Sequence, residues 1–131
     1  TTFRVTFDGG EQAEDWFAVE RDAPVTINAV LYAHGKSFHD GGWWDASKAR
    51  PRIQVKRARD AAWEDLATIE SYPSTTATDN KRLVDGKEFI VRFEPVSVVA
   101  IRVIGTPARG DGPRQSFASC AELQGLMEKR K

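Results

Sequence analysis

Residues 97–105, SVVAIRVIG, form the most hydrophobic run of the chain and decide how the rest is read. Val98, Val99, Ile101, Val103 and Ile104 are β-branched, too few for a long helix and bounded at once by Gly105, so the run reads as a central strand covered on both faces. Upstream, Asp85-Gly86 turns into EFIVRFE, a second strand that Pro95 is expected to close. Working outward, RIQVK alternates Ile53 and Val55 with Arg52, Gln54 and Lys56, and WEDLATI follows as its hairpin partner. In residues 16–32, WFAVERDAPVTINAVLY, two β-rich halves flank Asp22-Ala23-Pro24, which predicts two strands and a turn. Phe3, Val5 and Phe7 alternate with Thr2, Arg4 and Thr6 ahead of Asp8-Gly9-Gly10, the pattern of a first strand. Residues 121–131 carry some helical character, yet residues 122–124 also fit a closing strand, and the strand is favoured.

Seven or eight short strands, no amphipathic helix of useful length and no βαβ alternation predict an all-β fold, an antiparallel β-sandwich of the jelly-roll kind. The 131 residues suit one domain, 1–131, and their 40% hydrophobic content is enough for one core. Starting directly in a strand pattern, the chain reads as a module excised from a larger multidomain protein. Nineteen basic and nineteen acidic side chains cancel, so no overall field gathers phosphate backbones or anionic lipid, and neither nucleic acid nor membrane is the expected partner. No apolar run approaches the roughly 20 residues of a membrane span. Cys120 is the single cysteine, which forbids an internal disulfide and lacks the companions of a zinc site. It is expected to be a buried thiol.

Three long polar loops are where chemistry would sit. The first, KSFHDGGWWDASKARP, follows His34-Gly35 and carries three aromatics that a mere connector does not need. His34, His39, Asp40, Trp43, Trp44 and Asp45 together suit a sugar: pyranose rings offer apolar C–H faces to an aromatic plane, and their hydroxyls need paired donors and acceptors. Of the two tryptophans, one is expected in the core and the other as a platform. The second loop brings Tyr72, Thr75, Thr76, Asp79 and Asn80, short polar groups that serve turns more readily than hydroxyl recognition. The third offers Arg109, Asp111, Arg114, Gln115 and Phe117, where arginine beside an aromatic fits a sugar or a carboxylate, with a solvated charged loop as the equal alternative.

Catalysis finds less support. His34, His39 and Asp40 match no standard zinc spacing, no serine or cysteine stands in a nucleophile-elbow context, and Asp40 and Asp45 on one short loop more often bind or turn than face each other across a cleft. No residue is assigned a catalytic role, although the chain is expected to serve a larger carbohydrate-active enzyme.

Three stretches then carry a resemblance: APVTINAVLYAHG, FHDGGWWDASKARPRIQVKRARDAAWEDL, and VVAIRVIGTP with CAELQ. In order and spacing they resemble the galactose-binding-like superfamily, which includes the discoidin (coagulation-factor type C) domains and many carbohydrate-binding modules. The resemblance implies an eight-stranded sandwich whose loops at one end bind glycans in secreted enzymes, and so an extracellular setting and a carbohydrate partner. It also implies, in some members, a structural calcium; Glu122 fits the closing position of that site and Asp8 is a weak counterpart. No cofactor is required. The competing reading is an interaction or spacer module that packs the same loop residues against a neighbouring catalytic domain.

Overall fold

The computed structural model describes residues 2–5, 13–112 and 114–129, the first four of them through their backbone. Among the described residues seven strands follow one another: β1 (Thr2–Val5), β2 (Asp15–Ala33), β3 (Trp44–Asp45), β4 (Arg52–Lys56), β5 (Glu64–Thr68), β6 (Glu88–Pro107) and β7 (Glu122–Leu126). Every pairing is antiparallel, in the order β1-β2-β6-β4-β5, with β7 also on β2 and β3 also on β6.

The architecture follows from the two long strands. Asp15 pairs with Gly105 and Ala33 pairs with Glu88, so both ends of β2 face both ends of β6. The register slips between Glu20 and Val25 and again between Ile27 and Ala29, and such irregularities bend a strand sharply. Phe17 and Tyr32, fifteen positions apart on β2, both touch the Trp44 ring, at 6.0 and 6.5 Å between centroids. The strand has therefore folded over on itself, taking β6 with it. One limb of each belongs to a layer with β1, β4 and β5, the other to a layer with β7, and the molecule is an antiparallel β-sandwich.

Inward-facing Phe17, Val103, Ile53 and Val55 from the first layer meet Val30, Tyr32, Phe89, Val98 and Leu123 from the second in one core. Residues 97–105 lie at the centre as expected, with β2 on one side and β4 on the other. The β4–β5 hairpin and the closing strand are also where the sequence places them. Two expectations are corrected. Asp22-Ala23-Pro24 does not end a strand, because β2 runs through it at the bend, and Pro95 does not close one, because β6 continues to Pro107. Proline, which has no N–H to give to the ladder, is tolerated here near the register slip facing residues 27–29. Cys120 is half-buried, packed against the core, and burial pushes its thiol up to about 12.

Candidate functional site

Because β2 and β6 each return to the end they started from, three loops gather there: residues 34–51, 69–87 and 108–121. At the tip of the first, Phe38 N–H donates to Gly41 O at 2.7 Å and Gly41 N–H returns to Phe38 O at 3.4 Å, leaving His39 and Asp40 at the apex of a tight turn. The turn depends on its glycines. Gly41 and Gly42 have φ of 139° and 109°, and a Cβ on Gly42 would lie 2.2 Å from the Lys36 carbonyl oxygen.

Backbone hydrogen bonds fasten this turn to its neighbours. Gly42 N–H donates to Phe117 O, Asp111 N–H to His39 O, and Ala108 N–H to Trp43 O, all within 2.9 Å, which ties the first loop to the third. Arg109 and Gly110 both donate to Ala77 O of the second loop, at 3.0 and 2.8 Å. The Ser119 hydroxyl donates to Gly42 O and accepts from Lys36 N–H. The loop end is thus a hydrogen-bonded tripod whose main chain is fixed before any ligand arrives, which lowers the ordering cost of binding.

On its surface stands Phe38, 47% exposed. Its ring lies 6.1 Å from that of the half-buried Phe117, tilted by 45°, and the Lys36 ammonium sits 5.6 Å from its centroid. The turn and the third loop also carry hydrogen-bonding side chains. His39 Nδ1 and Asp111 Oδ1 are 2.8 Å apart, both side chains well exposed. The hydrogen bond to Asp111, its charge and that of Asp40 together raise the His39 pKa above the ordinary 6.5. Gln115 Nε2 donates to Asp40 Oδ2 at 3.1 Å. Arg109 and Arg114 are exposed on the third loop. Of the residues proposed from sequence, the fold therefore assembles His39, Asp40 and Phe117 at one surface and places Arg109 and Arg114 on the loop that frames it.

Other expectations fail on burial. Trp43 and Trp44 are 3% and 0% exposed, so neither ring is a platform. Trp43 Nε1–H donates to Thr76 O, and Trp44 Nε1–H donates to the Tyr32 hydroxyl, while Trp44 N–H is capped by the Tyr72 hydroxyl. Indoles that bury this much surface and satisfy their N–H groups inside are structural. The second loop is structural for the same reason: Tyr72 and Thr75 are buried, and the Thr75 hydroxyl donates to the Trp44 carbonyl. Asp45 is half-buried and turned on its own chain, accepting from Ser47 N–H and hydroxyl at 2.9 and 2.6 Å.

His34 is fully buried. Its Nε2 shares a 3.0 Å hydrogen bond with the Ser37 hydroxyl, and Asp85 Oδ1 is 3.9 Å from the same nitrogen. A relay that activates serine needs the carboxylate on the opposite ring nitrogen; here Nδ1 is buried with no hydrogen-bond partner. Desolvation lowers the His34 pKa, against the pull of Asp85. Glu122 is exposed at the start of β7, and Asp8, its calcium counterpart from the resemblance, lies outside the described residues.

The sequence signal for Phe38 is an apolar side chain between Ser37 and His39 in a polar tip, weaker than that of the adjacent tryptophan pair. Two further tryptophans, Trp16 and Trp63, lie half-buried on the outer face of the first layer. The Arg102 guanidinium sits 5.3 Å from the first and 4.3 Å from the second, and Lys56 Nζ is 5.6 Å from Trp63, so the protein's own cations already pack against these rings.

No protein-family model and no curated protein matches the chain. Among solved structures, it is similar to chitosan-binding module 1 derived from a chitosanase/glucanase of Paenibacillus sp. IK-5, with a TM-score of 0.52 and 20% sequence identity over 95% of this chain and 77% of that one. A selenomethionine-labelled mutant of that module is similar at a TM-score of 0.47 and 21% identity, over 86% and 68% of the two chains. At 20% identity the likeness establishes the fold, an all-β sandwich of the kind that this module adopts.

Proposed function

We propose that the chain is a non-catalytic carbohydrate-binding module of the galactose-binding-like kind, whose loop end recognises a glycan and holds an attached, secreted carbohydrate-active enzyme near its substrate. The observation that carries the proposal is Phe38, a large apolar ring exposed to solvent on a hydrogen-bonded turn whose apex carries His39 and Asp40. An exposed ring beside Lys36, on a loop end that also presents His39, Asp40, Asp111 and Gln115, supplies what a pyranose asks for: one apolar face to stack on and charged or amide groups for its hydroxyls. The sandwich shared with a chitosan-binding module adds support.

Chitosan is the first ligand to test, because Asp40 at the apex and Asp111 beside His39 suit a protonated amine as well as hydroxyls. Recognition needs no cofactor in this reading and should survive a chelator; a calcium near Glu122 would act on stability. The site is shallow, and each hydroxyl contact exchanges water for protein at a gain of only about 0.5–1.5 kcal/mol, so affinity per module is modest and repetition in the parent protein compensates. Calorimetric titration of the folded module with glucosamine, N-acetylglucosamine and β-glucan oligosaccharides tests the proposal. Saturable binding to any of them that Phe38→Ala abolishes supports it. Absence of binding across these and a wider glycan array overturns it and leaves the interaction or spacer reading, in which Phe38 meets a neighbouring domain.

A further inference from the structure

Among the described residues, the opposite pole of the sandwich, where β2 and β6 bend over together, leaves a space between the limbs. Between the two limbs lies a cavity of about 260 Å³ walled by Val19, Val25, Ile27, Val98, Ile101 and Leu123. Its polar lining comes from the exposed Arg21 and Gln124. An aliphatic cavity of roughly 150 Å³ already holds a benzene ring, so this one has room for a ring or a chain of several carbons. Beside it is a polar recess of about 360 Å³, which shares Arg21, Val99 and Ala100 with the cavity and adds Lys56, Arg59, Glu20 and Asp22. Asp22 is 3.9 Å from Arg59.

We infer that this pole is a second binding site, for a small amphiphilic monoanion such as a medium-chain carboxylate, with the chain in the cavity and the carboxylate at Arg21. The aliphatic walls favour the chain because it leaves water. The guanidinium fork matches a carboxylate in shape and charge. In the adjoining recess Arg21, Lys56 and Arg59 stand against Glu20 and Asp22, an excess of one positive charge that matches a monoanion. The site is independent of the loop end.

Titration of the isotope-labelled protein with sodium octanoate, and with octanamide as the uncharged counterpart, tests the inference by amide chemical shifts. The expected result is saturable shifts at Val25, Val98, Ile101 and Leu123, with octanoate preferred over octanamide by about two- to five-fold, the scale of an exposed ion pair. Arg21→Gln, a change at an exposed position, should erase that preference while leaving octanamide binding intact. Val25→Trp, at the half-buried edge of the cavity, should abolish binding of both. Non-saturable shifts, shifts confined to the loop end, or an octanoate preference that survives Arg21→Gln would overturn it.

Discussion

At the scale of single residues, what separates a binding side chain from a structural one is whether its polar atoms are already spent. Trp44 buries its whole ring and places its N–H on Tyr32, so Trp44→Ala should destabilise the fold by about 3–5 kcal/mol in denaturant titration. A loss below about 1 kcal/mol would mean that the ring is not part of the core. Phe38→Ala, by contrast, should leave the denaturant midpoint nearly unchanged. His39 makes a prediction about pH. Its pKa is raised in the folded protein, so the clasp with Asp111 contributes fully below the ordinary histidine value of 6.5 and fades as the pH climbs through the raised one. A proton-resonance titration should place the His39 midpoint above 6.5, and Asp111→Asn should lower it, though not all the way, since Asp40 also contributes. An unchanged midpoint in Asp111→Asn would dissolve the clasp. None of this pattern was legible in composition. The sequence displays two tryptophans and one phenylalanine in the same loop, but burial of the tryptophans is decided by residues 72–76, which reach them only in the folded chain.

At the scale of elements, the tip of the first loop rests on a glycine pair. Gly42→Ala would put a methyl 2.2 Å from the Lys36 carbonyl at a φ of 109°, and the turn carrying Phe38 would have to shift. We expect a loss of about 1–3 kcal/mol together with weaker glycan binding. Gly86→Ala, also at positive φ (80°) but with open space around it, is the milder control, and equal effects from the two changes would refute the role given to Gly42. Strands were easier to read than loops for a physical reason. Alternation in residues 52–56 and the dense β-branched run at 97–105 are local consequences of facing a core, so they show in the sequence. The bend at residues 20–25 does not, because Asp22-Ala23-Pro24 has the composition of a turn whether the strand stops there or folds over. Likewise Pro95 looks like a terminator, and only its place near a register slip lets β6 run on to Pro107.

At the scale of the whole molecule, the doubling-back of β2 and β6 sets the two poles apart. One pole collects all four strand ends and the three loops between and after them, and the loops hold one another through backbone hydrogen bonds. The other is the bend itself, where the layers part around an apolar cavity. Sandwich architecture was legible from the spacing of strands and turns; the assignment of poles was not, since it depends on each long strand serving both layers. The central claim is that the loop pole, through Phe38, is a glycan-binding surface. Its most direct test is calorimetric titration of wild type, Phe38→Ala and Trp16→Ala with chitosan oligosaccharides and with the glycans of the wider panel. The account predicts saturable binding to at least one glycan by wild type, retained in Trp16→Ala and lost in a Phe38→Ala protein whose denaturant midpoint is unchanged. Binding that persists in Phe38→Ala, or that disappears in Trp16→Ala instead, would contradict it.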